Sequence, residues 1–232
     1  MIYLVTGAAR GLGLEFVKQL SANGHIVIAT VRNPHHADEL RLLAKENSNI
    51  RIITLDTTKS ESVKAAIKEL DVVAPNGLDF LINNSGVSGS DGLTAENTTA
   101  QEYLRVFETN VVGTSNVTQA FLPFLHRRNT RRIINITSIL GSVENTTDGY
   151  KSAYRVSKAA ENMLTKVLAG ELKKDDFVVV AIHPGWVQTD MGGKDAPITA
   201  RQSISGMLER IENLKSEHNG TFFDFEGKAL PW

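Results

Sequence analysis

The chain has no cysteine. This excludes disulfides, thiolate metal sites and cysteine nucleophiles, and removes any argument for an oxidising compartment. It also lacks a charge excess: 25 Lys and Arg stand against 26 Asp and Glu, with no block of one sign. Nucleic acid and anionic membrane are therefore poor partners, and small molecules are better ones. No apolar run approaches the roughly 20 residues a membrane span needs. No charged leader or cleavage site precedes the first apolar run at Ile2, so a cytoplasmic location is expected. The six histidines are scattered, and only His35 and His36 are adjacent. Without further ligands such a pair is a solvated one, and no metal is expected. Asn-x-Ser/Thr triplets, such as Asn116-Val117-Thr118 and Asn135-Ile136-Thr137, carry no glycosylation meaning without a secretion signal.

What is present is a regular alternation. Short β-branched runs at Ile2–Thr6, Ile26–Val31, Ile50–Leu55, Phe80–Asn83, Arg132–Thr137, Val178–His183 and Thr221–Phe225 read as strands. Between them, Leu14–Ala22, Ser60–Val72, Glu102–Leu125, Ser152–Leu172 and Ala200–Lys215 carry apolar residues at i, i+3 and i+4, the spacing of amphipathic helices. Strand-helix alternation predicts an α/β fold with a doubly wound parallel sheet. At 232 residues, without repeats or flexible linkers, residues 1–232 suit one domain. The Gly/Ser-rich patch Ser85–Gly92 is too short for a linker and reads as a site loop.

The first strand runs directly into Thr6-Gly7-Ala8-Ala9-Arg10-Gly11-Leu12-Gly13. In that position a glycine-rich turn lets backbone N–H groups approach a pyrophosphate, and the following helix adds the positive end of its dipole. Gly7, Gly11 and Gly13 fill those roles. About 20 residues on, an acid would hold the ribose 2′-hydroxyl of NAD, whereas an arginine accommodates the 2′-phosphate of NADP. Arg32 ends the second strand, and Arg10 could reach the same phosphate, so NADP(H) is the expected cofactor. Against this, both arginines could be ordinary surface residues, and the acids Asp38 and Glu39 lie nearby. Asp56-Thr57 ends the third strand, where a carboxylate could accept from an adenine amino group or simply cap the next helix.

Tyr154 and Lys158 are spaced i and i+4, so they share one helix face. Free tyrosine titrates near pH 10, and acid/base work near neutrality requires a drop of roughly 3 units, about 4 kcal/mol. One neighbouring charge supplies about 1–3 units, so the pair implies a second positive group beside it, such as an oxidised nicotinamide ring. Alone, Tyr-x-x-x-Lys also fits a surface tyrosine with a solvated lysine.

Together, Thr6-Gly7-x-x-x-Gly11-x-Gly13, Asn83-Asn84-Ser85-Gly86, Asn110, Ser138, Tyr154-x-x-x-Lys158 and Pro184-Gly185 resemble the short-chain dehydrogenase/reductase family across nearly the whole chain. The ending Phe222-Phe223-Asp224-Phe225-Glu226-Gly227, with Pro231-Trp232, is similar to the C-factor/sniffer-type carbonyl reductase branch. The resemblance implies a Rossmann-type sheet of about seven strands in the order 3-2-1-4-5-6-7, with helices on both faces. It implies that Tyr154 protonates a carbonyl oxygen, Ser138 orients it, Lys158 binds the nicotinamide ribose and lowers the tyrosine pKa, and Asn110 holds a relay water. It places Leu12, Asn83, Ser85, Gly86, Pro184, Gly185, Val187 and Thr189 at the cofactor. It further implies a homodimer or homotetramer, paired through the helices at Glu102–Leu125 and Ser152–Leu172.

Two departures stand out: Ser85 occupies a usual alanine position, and a longer Ser138-to-Tyr154 interval enlarges the loop Ser142–Lys151. Leu140, Val143, Trp186 and Met191 are candidate apolar walls for a hydrophobic or activated ketone or aldehyde, or else plain core. The expected activity is NADPH-dependent reduction of such a carbonyl. Its alternatives are an NADP(H)-binding sensor with little turnover and an alcohol dehydrogenase working in the oxidative direction.

Overall fold

The strands that are buried on both faces carry near-continuous Val and Ile, the pattern of a parallel sheet covered by helices on each side. In the computed structural model, which describes residues 1–232, that sheet has seven strands. They are β1 (Ile2–Val5), β2 (Ile26–Val31), β3 (Ile50–Thr54), β4 (Phe80–Asn83), β5 (Arg132–Ile136), β6 (Val178–His183) and β9 (Phe222–Asp224). Their order is β3-β2-β1-β4-β5-β6-β9, parallel throughout, which is the expected order with β9 as seventh strand. The helices are α1 (Gly11–Ala22), α2 (Asp38–Glu46), α3 (Ser60–Val73), α4 (Ala100–Phe107), α5 (Gly113–His126), α6 (Ser152–Leu172) and α7 (Ala200–Glu212).

Alternate residues of each strand feed two separate cores. Tyr3, Val5, Val27, Ala29 and Val180 pack with Phe16 and Leu20 of α1 and Met207 and Leu208 of α7. Leu4, Ile28, Leu81, Ile133 and Val179 pack with Leu70 of α3, Phe121 of α5 and Leu168 of α6 on the other face. A one-residue slip in register would exchange these two sets, so the register is strongly held.

Three features differ from the sequence expectation. Helix α2 is absent from the sequence expectation: its apolar stripe is a single i, i+3, i+4 set, Leu40 with half-buried Leu43 and Ala44, too short to stand out as a period. A small parallel ribbon, β7 (Val187–Gln188) with β8 (Ile198–Thr199), follows β6 and is too short to leave a period. The helix expected over Glu102–Leu125 is interrupted by a π-helical turn at Glu108–Val112, between α4 and α5. No helix is long and apolar enough to cross a membrane.

Between β1 and β4 the chain's winding direction reverses, and the C-terminal edge there is where open α/β sheets bind ligands. The far edge, β9, is covered by the chain's own end: Leu230 N–H donates to the Phe222 carbonyl (2.9 Å), and the Trp232 ring packs 5.3 Å from that of Phe222. Such cover removes an exposed pairing edge.

Candidate active site

The turn after β1 is shaped by its glycines. Gly7 and Gly11 have φ of +67° and +56°, a region L side chains rarely adopt. A methyl at Gly13 would collide with the Gly7 carbonyl oxygen. Thr6 closes the turn from below, its hydroxyl accepting from the backbone N–H of both Asn84 and Ser85 at 2.9 Å. Asn84 Nδ2 returns the contact to the Thr6 carbonyl at 2.9 Å. Helix α1 starts here with no side-chain cap and no acid in its first turn. Its first N–H groups are therefore free for an anion, and the helix dipole favours one.

This turn forms one end of a cleft of about 330 Å³. Of the residues singled out from sequence, Gly7, Arg10, Gly11, Leu12, Gly13, Arg32, Asp56, Thr57, Ser85, Gly86, Tyr154, Lys158, Pro184 and Thr189 line it. They come from six separate stretches of chain, gathered because each follows a strand end or opens a helix. Asn84, Thr137, Asp190 and Met191 line it too. The buried Thr137 hydroxyl has no partner within the protein. An uncapped helix start, a glycine cradle and an unpartnered hydroxyl in one elongated cleft fit a dinucleotide.

The acids that competed with Arg32 are drawn away. Asp38 pairs with Arg41 at 3.2 Å and Glu39 with Lys18 at 2.5 Å, both on the surface. Arg32 is exposed at the end of β2 and has no acidic partner. Arg10 pairs across the cleft mouth with Asp190 at 2.7 Å. Asp56 Oδ1 accepts from Thr58 N–H (3.0 Å) and Thr58 Oγ1 (2.7 Å), so one carboxylate oxygen shapes the turn into α3 and the other is unused.

Five residues expected at the site are not among those that line the cleft. Asn83 is buried between strands, where its Nδ2 donates to Thr118 Oγ1 (3.0 Å) and Asn135 Oδ1 (2.9 Å). Gly185, at φ +85°, lies against Ile198 and Phe225, and Val187 is buried in the β7–β8 ribbon, so both shape the segment after β6 from behind. Ser138 is buried; its Oγ accepts from Leu140 N–H at 3.1 Å, capping a short 3₁₀ turn, while its own O–H stays unassigned. Asn110 lies in the π-helical turn with no exposed surface. Its Oδ1 accepts from Val87 N–H (2.8 Å), and its Nδ2 donates to the Val87 carbonyl and Ser157 Oγ, both at 2.9 Å. The Asn110 side chain is thus a clamp, and only its backbone carbonyl, which accepts from Thr114 Oγ1 at 3.0 Å, remains for a water.

Tyr154 is half-buried in the first turn of α6. Lys158 is buried one turn on, its Nζ 5.8 Å from the Tyr154 ring centre. That Nζ donates to the Ile136 carbonyl (2.8 Å) and to Glu161 Oε2 (2.6 Å). Burial opposes the lysine's charge, but the Glu161 carboxylate and Tyr154 outweigh it and hold the ammonium above its ordinary range. Glu161 went unnoticed in the sequence; its signal is an acid at i+3 from Lys158, on a face where Ser157, Asn162 and Thr165 are also buried.

The chain is similar to known proteins over most of its length. The family model for short chain dehydrogenase matches residues 1–198. The C-signal of Myxococcus xanthus is 45% identical over 160 residues, covering 69% of this chain and 96% of that protein. The carbonyl reductase Sniffer of D. melanogaster superposes with a TM-score of 0.94 at 35% identity, covering 99% of this chain and 98% of that one. An NADPH-bound carbonyl reductase from chicken fatty liver does so with a TM-score of 0.94 at 37% identity and the same coverage. The chain belongs to the short-chain dehydrogenase/reductase family, is of its carbonyl reductase/sniffer type, and is an oxidoreductase built for a nicotinamide cofactor.

Proposed function

We propose that the protein reduces the carbonyl group of a small ketone or aldehyde with NADPH, Tyr154 serving as general acid. The observation that carries this reading is the presence of Tyr154 and Lys158 in the same cleft as the uncapped glycine turn. The bound nicotinamide supplies the hydride. As carbon gains it, negative charge develops on oxygen, and donors fixed beforehand act where that charge appears. Tyr154 gives its proton to this oxygen. Ser138 offers the O–H that its turn-capping Oγ still has free. Lys158 holds the nicotinamide ribose with its third N–H bond, since two are already used by Ile136 and Glu161. A relay water would use the Asn110 carbonyl rather than its amide. Arg32 takes the 2′-phosphate, and Arg10 takes it by leaving Asp190.

Val143, Trp186 and Met191 are exposed rather than core, so they are free to form an apolar wall for the substrate, with half-buried Leu140 beside Ser138. The test is NADPH and NADH consumption with diketones, isatin-like ketones and aldehydes, in the unmodified protein and Tyr154→Phe. Tyr154→Phe is expected to lose about 10²- to 10⁴-fold in kcat while still binding NADPH. NADPH binding without turnover by the unmodified protein would instead support the sensor reading.

A further inference from the structure

Lys158 is the one buried basic side chain of this molecule, and Asp79 and Glu161 are its only buried acids. Asp79 pairs with Arg128 at the N-terminal end of β4. Glu161 is completely enclosed, with Oε2 2.6 Å from Lys158 Nζ. Its other oxygen, Oε1, takes the Thr114 hydroxyl at 3.4 Å, and that hydroxyl also reaches the Asn110 carbonyl at 3.0 Å. The carboxylate therefore joins α6 to the π-helical turn behind the cleft, while the Ile136 carbonyl holds the lysine from β5. Around Glu161 the buried face of α6 is polar, with Ser157, Asn162 and Thr165, and it turns apolar only further along at Leu168, Ala169 and Leu172; within that polar stretch Glu161 is the one acid.

We propose that Glu161 is the positioning residue of this site, a built-in counter-ion that fixes the Lys158 ammonium against β5 and preserves its charge where solvent is excluded. The inference rests on the reading of Lys158 as the ribose-holding cation. A buried ammonium without a partner tends to lose its proton. Among the influences on Lys158, burial is the largest and acts against the charge, and Glu161 and Tyr154 together outweigh it. Burial is also the largest influence on Glu161 and raises its carboxyl, with Lys158 and the Thr114 hydroxyl opposing it, so each charge of the pair depends on the other.

No other charge faces the pair. Glu102 and Arg105 of α4 pair with each other, Glu108 of the π-helical turn is exposed, and His183 of β6 responds to Asp224. Without Glu161, the Lys158 charge would meet burial with only Tyr154 to offset it.

The test is nitrogen-15 NMR of lysine Nζ in the full chain without cofactor, with the Lys158 signal assigned by its loss in Lys158→Arg. The unmodified protein is expected to keep an ammonium signal from about pH 6 to about pH 9, below the ordinary lysine value. In Glu161→Gln the signal should titrate inside that window, and in Glu161→Asp it should behave as in the unmodified protein. An ammonium that persists through the window in Glu161→Gln overturns the inference. If Glu161→Gln does not fold, Glu161→Gln/Lys158→Met leaves no enclosed charge at this position and should fold; failure of the double variant as well makes Glu161 a packing residue and overturns the inference. A second readout is the pH profile of NADPH oxidation, whose alkaline limb should move down by about one unit or more in Glu161→Gln. The NMR result needs no turnover, so a protein that never oxidises NADPH loses the reductase reading alone, whereas an active protein with an unchanged Lys158 titration loses this inference alone.

Discussion

Arg32 and His183 show how much one side chain decides here. Arg32 stands in the cleft with no acid against it, so it is free for a phosphate monoester. A charge-assisted hydrogen bond contributes about 1.5–3 kcal/mol, and Arg32→Asp should lower the NADPH-to-NADH ratio of kcat/KM by roughly 10- to 100-fold; an unchanged ratio in steady-state kinetics would assign the phosphate to other residues. His183, at the end of β6, is mostly enclosed, its Nδ1 buried without a partner. Burial pushes it down to about 4, against the opposing pull of Asp224. The unfolded chain protonates this imidazole near pH 6.5, whereas the folded chain resists until about pH 4, so its penalty is absent above pH 6.5 and complete below 4. Stability should fall by about 3 kcal/mol across that window, and denaturant titrations should show the fall reduced in His183→Asn. Asp79 acts in a lower window. Burial would raise its carboxyl, but bonds from Arg128, Ile2 N–H and Thr130 hold it below the ordinary range, so its contribution is lost only on further acidification.

The π-helical turn between α4 and α5 is the element that converts sequence into site geometry. Asparagine is a poor helix former, and kinked or widened helical turns often occur at functional positions. Here the turn brings Asn110 inward to bond both backbone groups of Val87, and so fixes the loop that carries Ser85 and Gly86. Gly113 at the start of α5 lets Thr57 approach, since a methyl there would lie 2.6 Å from Thr57 Oγ1. Asn110→Ala leaves the Val87 N–H and carbonyl without partners and should cost about 1–3 kcal/mol, which for a chain of this size lowers Tm by about 2–4 °C per kcal/mol. Calorimetry would measure that loss, and fluorescence titration should show weaker NADPH binding; a normal affinity would separate the clamp from the site. The sequence showed an amphipathic run over this whole stretch and within it an asparagine, a poor helix former of the kind that marks a kink, but a single extra residue in a helical turn leaves no periodic trace, so the π-helical turn itself was not legible.

At the scale of the whole molecule, α4, the π-helical turn and α6 share one flank, where Leu104, Phe107, Val112, Val156, Met163 and Val167 are exposed. Apolar residues gathered in this way are expected to form an association surface. Light scattering should give two or four chains per particle, and Leu104→Glu with Val167→Glu should give one. The amino-acid order alone determined the strand and helix alternation, the glycine turn and the Tyr154 and Lys158 pair, because each depends on neighbours within a few residues or on the period of burial. Only the tertiary structure decided that Asn83, Gly185 and Val187 stand behind the cleft, that Asp38 and Glu39 are turned toward other partners, and that Glu161 meets Lys158 in the buried interior. Those outcomes depend on which face of an element is covered and by what, and that is fixed by contacts between segments far apart in the chain.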